Sequence, residues 1–226
     1  MRPKELSFPF PFEERRVVFK DRILFVPDFF EEREKQIQAF TFPPFSDPLV
    51  FGNRNPVFVE YCSGNGLWIA EKAKQNPHIN WIAVEKNFKR VKKIVSKIRN
   101  HALQNLIVIW GEAHLVTKSY FQEKSVSQVF VNFPDPWPKT RHSKFRLVNQ
   151  EFAEVVRQTL QENGTFTFVT DDEEYGDEGA KALLSVFEPV FPPPYFVTEF
   201  LSYGVSSFEK LWRDKGKEIR YYQFKR

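Results

Sequence analysis

The chain has 226 residues, 42% hydrophobic and 27% charged, with a net charge of +4. That suits one soluble globular domain with a small elaboration. Its single cysteine, Cys62, excludes an intrachain disulfide and fits a reducing compartment. No apolar run reaches the roughly 18 residues of a membrane span, and no cationic segment followed by an apolar one opens the chain, so a soluble, cytoplasmic protein is expected.

Residues 1–50 carry Pro–Phe pairs (FPFPF, TFPPF) around the charged stretch EEREKQIQ. Proline blocks long helices, so this segment is predicted to be an irregular arm with one short helix, packed on a main domain of residues 51–226. From Val57 the pattern becomes regular. VFVEY (57–61) reads as a strand, Ser63-Gly64-Asn65-Gly66 as a turn, and 67–75 as a helix that stops at Asn76-Pro77. A second strand follows at 80–85. Phe88, Val91, Ile94, Val95 and Ile98 then form one helical face. Residues 105–110 and 127–133 read as further strands, and a helix around 148–161 is predicted to stop at Asn163-Gly164. A strand at 165–170, a helix at 176–187 and strand candidates near 195–200 and 218–225 complete the pattern. Strands alternating with helices imply an α/β domain on a largely parallel sheet. The loops after its strands then share one edge, where such sheets bind ligands.

Those loops carry the chemistry. The first, Glu60-Tyr-Cys-Ser-Gly64-Asn-Gly66, is a glycine turn ahead of a helix N-terminus. It is not the dinucleotide pattern, because Ile69 stands where the third glycine would fall. Glu85 ends the second strand 21 residues after Gly64, the place where a nucleotide-binding sheet uses an acid on ribose hydroxyls. Glu112 follows the third strand, within reach of an adenine amino group. Three acids after three strands, without the pyrophosphate glycine, favour an adenosine ligand lacking phosphates over NAD. The fourth loop, VNFPDPWPKTRHSKFR (131–146), holds Asp135 between two prolines ahead of Lys139, Arg141, Lys144 and Arg146. The fifth has Asp171, which also suits a helix cap. Cations cluster as well: seven Lys/Arg lie in 86–99, four in 139–146 and seven in 210–226. Such clusters point to a polyanion, although solvated helix faces explain much of the first.

At these residues the chain resembles the bacterial tRNA (guanine-N7)-methyltransferases of the TrmB type, from Phe51 to the C-terminus. V-F-V-E-Y-C-S-G-N-G is similar to that family's first S-adenosylmethionine motif. F-P-D-P-W-P-K-T-R-H-S-K-F-R-L is similar to its signature F-P-D-P-W-x-K-x-R-H-x-K-R-R-L, and S-S-F-E to its late T-x-F-E element. The resemblance implies a Rossmann-like class I S-adenosylmethionine-dependent methyltransferase fold, α/β with a mostly parallel seven-stranded sheet and helices on both faces. It further implies that Glu60, Gly64, Gly66, Glu85, Glu112 and Asp135 bind S-adenosylmethionine and that Asp135 is catalytic. Lys139, Arg141, Asp171, Ser206, Ser207, Phe208 and Glu209 would bind the substrate, a tRNA nucleoside, and no metal is implied. Cys62 stands where the family has glycine, and a negative φ there would keep the turn. Glu112 replaces a usual Asp, and Ser206 a Thr.

The expected reaction is methyl transfer to N7 of a guanine in the tRNA variable loop. Lys139, Arg141, Lys144 and Arg146 are expected on phosphates and Trp137 on a base or as a core anchor for its loop. Two rival readings are an RNA-binding protein that has lost catalysis, for which Cys62 is the best argument, and an NAD-dependent oxidoreductase. Oligomeric state is left open between monomer and homodimer.

Overall fold

The architecture was obtained as a computed structural model that describes residues 2–3, 6–28, 32–204 and 207–226. Contacts divide the chain into two units, Met1–Gln122 and Glu123–Arg226.

The first unit contains β1 (Val18–Lys20), β2 (Ile23–Phe25), α1 (Arg33–Ala39), β3 (Val57–Tyr61), α2 (Leu67–Gln75), β4 (Asn80–Glu85), α3 (Phe88–Asn100), β5 (Leu106–Trp110) and α4 (Ala113–Tyr120). Strands β2, β5, β4 and β3 lie side by side in that order, every pair parallel. All six residues of β4 are buried, as its continuous apolar run requires in the middle of a parallel sheet. Helix α3 packs on β4 and β5 through the predicted face, with Val91, Ile94, Val95 and Ile98 buried. The Asn87 side chain caps it by accepting from the Lys89 N–H at 3.0 Å. Asn105 closes the turn between α2 and β4, its amide donating to the carbonyls of Ala73, Asn76 and Ile79 at 2.9–3.0 Å.

The N-terminal arm departs from expectation. Besides α1 it forms a hairpin, β1 antiparallel to β2, turning at Asp21 and Arg22 with φ of 52° and 66°. Strand β2 then joins β5, and the Val26 N–H extends the ladder to the Trp110 carbonyl at 2.7 Å. The Phe-rich stretch ahead of the hairpin packs by its rings: Phe8 stacks on Phe88 with centroids 4.2 Å apart and meets Trp110 at 5.0 Å. Proline excluded long helices here without excluding strands of three residues.

The second unit contains β6 (Val126–Asn132), α5 (Gln150–Thr159), β7 (Leu160–Thr170), α6 (Glu173–Leu184), β8 (Glu188–Pro189), β9 (Phe196–Val197), α7 (Ser207–Asp214) and β10 (Arg220–Lys225). Strands β6 and β7 are parallel, β10 is antiparallel to β7, and β8 and β9 are both antiparallel to β10. Helix α6 packs on β7 and β10. Asn163-Gly164 does not stop a helix. Helix α5 ends at Thr159 and β7 starts at once, so the pair forms an irregularity where the register steps from Val126↔Leu160 to Gln128↔Thr165. Asn163 takes a φ of 65°, the conformation of a bulge residue.

All seven expected strands are present. The described residues add β1, β2 and β8, and also the unanticipated helices α4 and α7.

Candidate active site

In the first unit, parallel pairing brings the C-terminal ends of four strands to one edge. Glu85, 3% exposed, ends β4. Its Oε2 accepts from the Gly64 N–H and its Oε1 from the Asn87 N–H, both at 2.8 Å, while Arg90 Nη1 lies 3.8 Å away. The carboxylate therefore ties the glycine turn to the start of α3. Burial pushes its pKa up, against the opposing pull of the Asn87 amide, Arg90 and the Gly64 amide. Each oxygen retains a lone pair for a ligand hydroxyl.

The turn itself depends on its glycines. Gly64 has φ 57° and Gly66 φ 70°, and a Cβ on Gly66 would stand 2.6 Å from Ile94 Cγ1. Lys97 Nζ donates to the Asn65 carbonyl at 2.8 Å, holding the same loop from α3. Cys62 corrects the sequence reading: its φ is +59°, so the family's glycine position keeps its left-handed conformation here with a side chain attached. That costs about 1–2 kcal/mol.

Glu60, the penultimate residue of β3, is 2% exposed, and its carbonyl accepts from Ser63 Oγ at 2.9 Å. Glu112 caps α4, its two oxygens accepting from the His114 and Leu115 N–H groups at 3.0 and 2.8 Å. One lone pair on each oxygen is left for a further donor. A fourth acid escaped sequence reasoning. Asp28 follows β2, so it leaves the sheet beside Glu112; burial raises its pKa, Arg33 and Lys86 lower it, and Glu112 raises it further. The signal was the hairpin hidden in the arm. Among the described residues no group of three or more His, Cys, Asp or Glu is arranged to hold a metal ion.

In the second unit, β6 and β7 end together, Asn132 opposite Val169, so the Asp135 loop and Asp171 leave from neighbouring parallel strands. Asp135 is exposed. The backbone around it is held in an uncommon shape: Phe133 has φ 46° and Trp137 φ 48°, on either side of Pro-Asp-Pro. The Phe133 N–H anchors one end on the Val169 carbonyl at 2.9 Å. Arg146 anchors the other. Its Nε donates to the Pro136 carbonyl at 2.7 Å, Nη2 to Glu174 at 3.0 Å and Nη1 to Glu178 at 2.5 Å, and its side chain is 3% exposed. Arg146 is thus no phosphate ligand. It is a buried clamp between the catalytic-candidate loop and α6.

Lys139, Arg141 and Lys144 remain exposed, the first just ahead of the three-ten helix Thr140–Phe145 and the other two within it. Trp137 is half-buried, 5.8 Å from His142 and 5.5 Å from Phe145 between ring centroids. Capping of α6 falls to Asp172, which accepts from the Tyr175 N–H at 2.8 Å. Asp171 is left half-buried, its pKa raised by burial and by Asp172 and lowered by its own backbone amide and Lys217. Glu209 lies on α7, 5% exposed, and accepts from Arg213 Nε at 3.0 Å, while Arg213 Nη2 donates to the Thr198 carbonyl. That ion pair with Arg213 braces α7 across one helical turn. Ser206 lies outside the described residues; Ser207 and Phe208 open α7, their side chains outside the description.

Three outcomes follow from this geometry. Cys62→Gly is expected to stabilise the protein by about 1 kcal/mol in urea unfolding, by releasing the left-handed strain. Arg146→Ala is expected to cost about 2–4 kcal/mol, because it removes a buried side chain that packs on the Tyr175 ring and leaves the half-buried Pro136 carbonyl without its donor. Glu174→Ala or Glu178→Ala each leaves the buried guanidinium one partner short while the other acid and the Pro136 carbonyl remain, and should cost about 1–2 kcal/mol in the same assay.

The family described as "Putative methyltransferase" matches residues 54–221. The tRNA (guanine-N(7)-)-methyltransferase of Chlamydia caviae is 41% identical over 224 residues, covering 99% of this chain and 97% of that protein. The protein of the same name from Geobacter metallireducens is 34% identical over 179 residues, 78% of this chain and 85% of that one. Among solved structures, an antibiotic-related methyltransferase matches with a TM-score of 0.57 at 17% identity, over 78% of this chain and 89% of that chain. Precorrin-6y C5,15-methyltransferase from Geobacter metallireducens gives 0.54 at 13% identity, over 76% and 82%. At those identities the structures speak for the fold, which is that of the class I S-adenosylmethionine-dependent methyltransferases. Sequence identity over nearly the full chain carries the finer assignment: this chain belongs to the tRNA (guanine-N(7)-)-methyltransferase family.

Proposed function

We propose that the chain methylates N7 of a guanine in the tRNA variable loop, with S-adenosylmethionine as donor, as a cytoplasmic tRNA-modifying enzyme. The observation that carries the reading is full-length similarity to proteins bearing that name, at 41% identity, in a chain that holds Asp135 in a clamped loop. That similarity favours an enzyme over a binding-only protein and over an oxidoreductase.

The donor suits the first unit's edge. Glu85 presents two fixed carboxylate oxygens beside a glycine turn whose Gly66 leaves no room for a Cβ, and we assign it the ribose hydroxyls. Glu112 takes the adenine amino group, and Glu60 and the Gly64–Gly66 backbone take the amino-acid portion. When bound, S-adenosylmethionine supplies an electrophilic methyl group on a sulfonium.

Guanine N7 has an in-plane lone pair and carries no proton at neutral pH, so no base is needed to free it. The protein's work is then placement and electrostatics. As the N7–methyl bond forms the sulfur–methyl bond breaks, S-adenosylhomocysteine leaves with the electron pair, and positive charge passes from the sulfur to the guanine. A fixed carboxylate at Asp135 stabilises that charge and accepts from the N1/N2 edge, with Asp171 available to the same edge. Lys139 and Arg141 bind phosphates, and the segment 206–209 lines the nucleoside, with Glu209 acting through Arg213 to hold α7.

Incubation with labelled S-adenosylmethionine and unmodified tRNA, followed by nucleoside analysis, tests the assignment; label at any position other than guanine N7 sinks it. Asp135→Ala is expected to lower turnover by at least 100-fold, a size typical for loss of one transition-state electrostatic contact, while tRNA affinity stays within about threefold. Activity surviving within a few-fold would remove Asp135 from its role. The pH dependence has a definite sign. Burial raises the Glu85 pKa above its ordinary 4.5, so the folded protein takes up that proton at higher pH than the unfolded chain. Its ionisation costs stability above the folded pKa, and acidification relieves the cost. Donor affinity needs the ionised form and should therefore fall as pH drops through the raised value, whereas Glu85→Gln should bind weakly with a flattened profile. Calorimetric titration of S-adenosylhomocysteine across pH measures both.

A further inference from the structure

Phe145 is a large apolar side chain that the fold leaves in water, 56% exposed at the end of its three-ten helix. The ring is nevertheless braced. It lies 5.5 Å from Trp137 and 6.1 Å from His142, tilted at 56° and 47° to them. Those two rings meet each other edge to face at 5.8 Å. Trp137, half-buried and with its backbone at a φ of 48°, acts as the prop and Phe145 as the presented surface.

Its surroundings are cationic. Lys139, Arg141 and Lys144 are all exposed, and Lys144 Nζ stands 5.3 Å from the Phe145 centroid. Among the described residues no ion pair involves any of these three. The four acids of α6 are taken elsewhere, Glu174 and Glu178 by Arg146 and Glu173 and Asp177 by Arg220. An exposed aromatic ring set among uncompensated cations is complementary to one ligand type above others: a nucleotide, whose base offers a π-face and whose phosphate offers charge. An apolar protein surface would have to desolvate those cations without pairing them.

We propose that Phe145 is a stacking platform for an unstacked tRNA nucleotide beside the target guanine, with Lys144 on that nucleotide's phosphate and Lys139 and Arg141 on its neighbours'. The assignment rests on the tRNA-methyltransferase reading, and it moves the stacking role expected of Trp137 onto Phe145.

The test is equilibrium binding of unmodified tRNA over a range of salt concentrations, with Phe145→Ala, Phe145→Leu, Phe145→Trp and Lys144→Gln. Substitutions at a side chain this exposed should leave the thermal unfolding curve in place. Phe145→Ala and Phe145→Leu should each weaken binding by about tenfold, the loss of one base–aromatic stack, and Phe145→Trp should restore it. The slope of log affinity against log salt should be unchanged in Phe145→Ala and shallower by about 0.7–0.9 in Lys144→Gln. Equal binding by the Leu and Trp variants would replace stacking with simple apolar contact and overturn the proposal, as would an unchanged affinity in Phe145→Ala. If the parent protein binds tRNA without methylating it, the functional reading fails while the Phe145 series still decides the platform. If it does not bind tRNA, both fail.

Discussion

Parallel strand pairing is the constraint from which the candidate site follows. In a parallel ladder every strand exits in the same direction, so residues far apart in sequence are delivered to one edge. In the first unit Phe25 and Glu85 both align with Trp110, and Tyr61 aligns with Val84 one step earlier. Asp28, Glu60, Glu85 and Glu112 thereby become neighbours in level, although 84 residues separate the first from the last. In the second unit the Asn132↔Val169 pair does the same for the Asp135 loop and Asp171. The chemistry is added at the exits, and the apolar strands decide where the exits are.

Those exits are strained, and the strain is held by side chains from elsewhere. Cys62, Phe133 and Trp137 all lie in the left-handed region, where each L-residue costs on the order of 1–2 kcal/mol. Glu85 accepts from Gly64 across 21 positions, Lys97 holds the Asn65 carbonyl across 32, and Arg146 holds the Pro136 carbonyl. The first two join a loop directly to a packed strand or helix, and the third does so through the Arg146 pairs with Glu174 and Glu178 on α6. Loops restrained in this way need little rearrangement when a ligand arrives, which is what a reaction limited by placement asks of its scaffold.

The parts legible in the sequence were those with a long period or a strong local pattern. Apolar runs of five or six residues located the central strands, and the α3 face could be read residue by residue. The acids at strand ends are legible because the position of a strand fixes where its exit lies. What escaped detection had short or non-local causes. Strands of three residues in a proline-rich arm show no alternation, so β1, β2 and Asp28 were hidden. Asn163-Gly164 has the same chemistry in a bulge as in a helix stop, and only the partner strand decides between them. Arg146 looked like one more cation in a basic run. Its burial depends on the Pro136 carbonyl, ten residues before it, and on Glu174 and Glu178, about thirty residues after it, and no local pattern records that.

The sorting of charge within the Asp135 segment bears on how binding and chemistry are joined. One exposed carboxylate shares its loop with three exposed cations, while the fourth cation is neutralised by α6. In the absence of a polyanion, Lys139, Arg141 and Lys144 offset much of the field of Asp135 at a distance. On the proposed function, tRNA phosphates pair with those cations and also exclude water from the loop. Both changes sharpen the local field of the carboxylate, because its opposing charges are neutralised and the effective dielectric falls. The electrostatic help that a methylated guanine needs is then greatest when the correct polyanion is seated, and a free nucleoside, bringing no flanking phosphates, receives less of it.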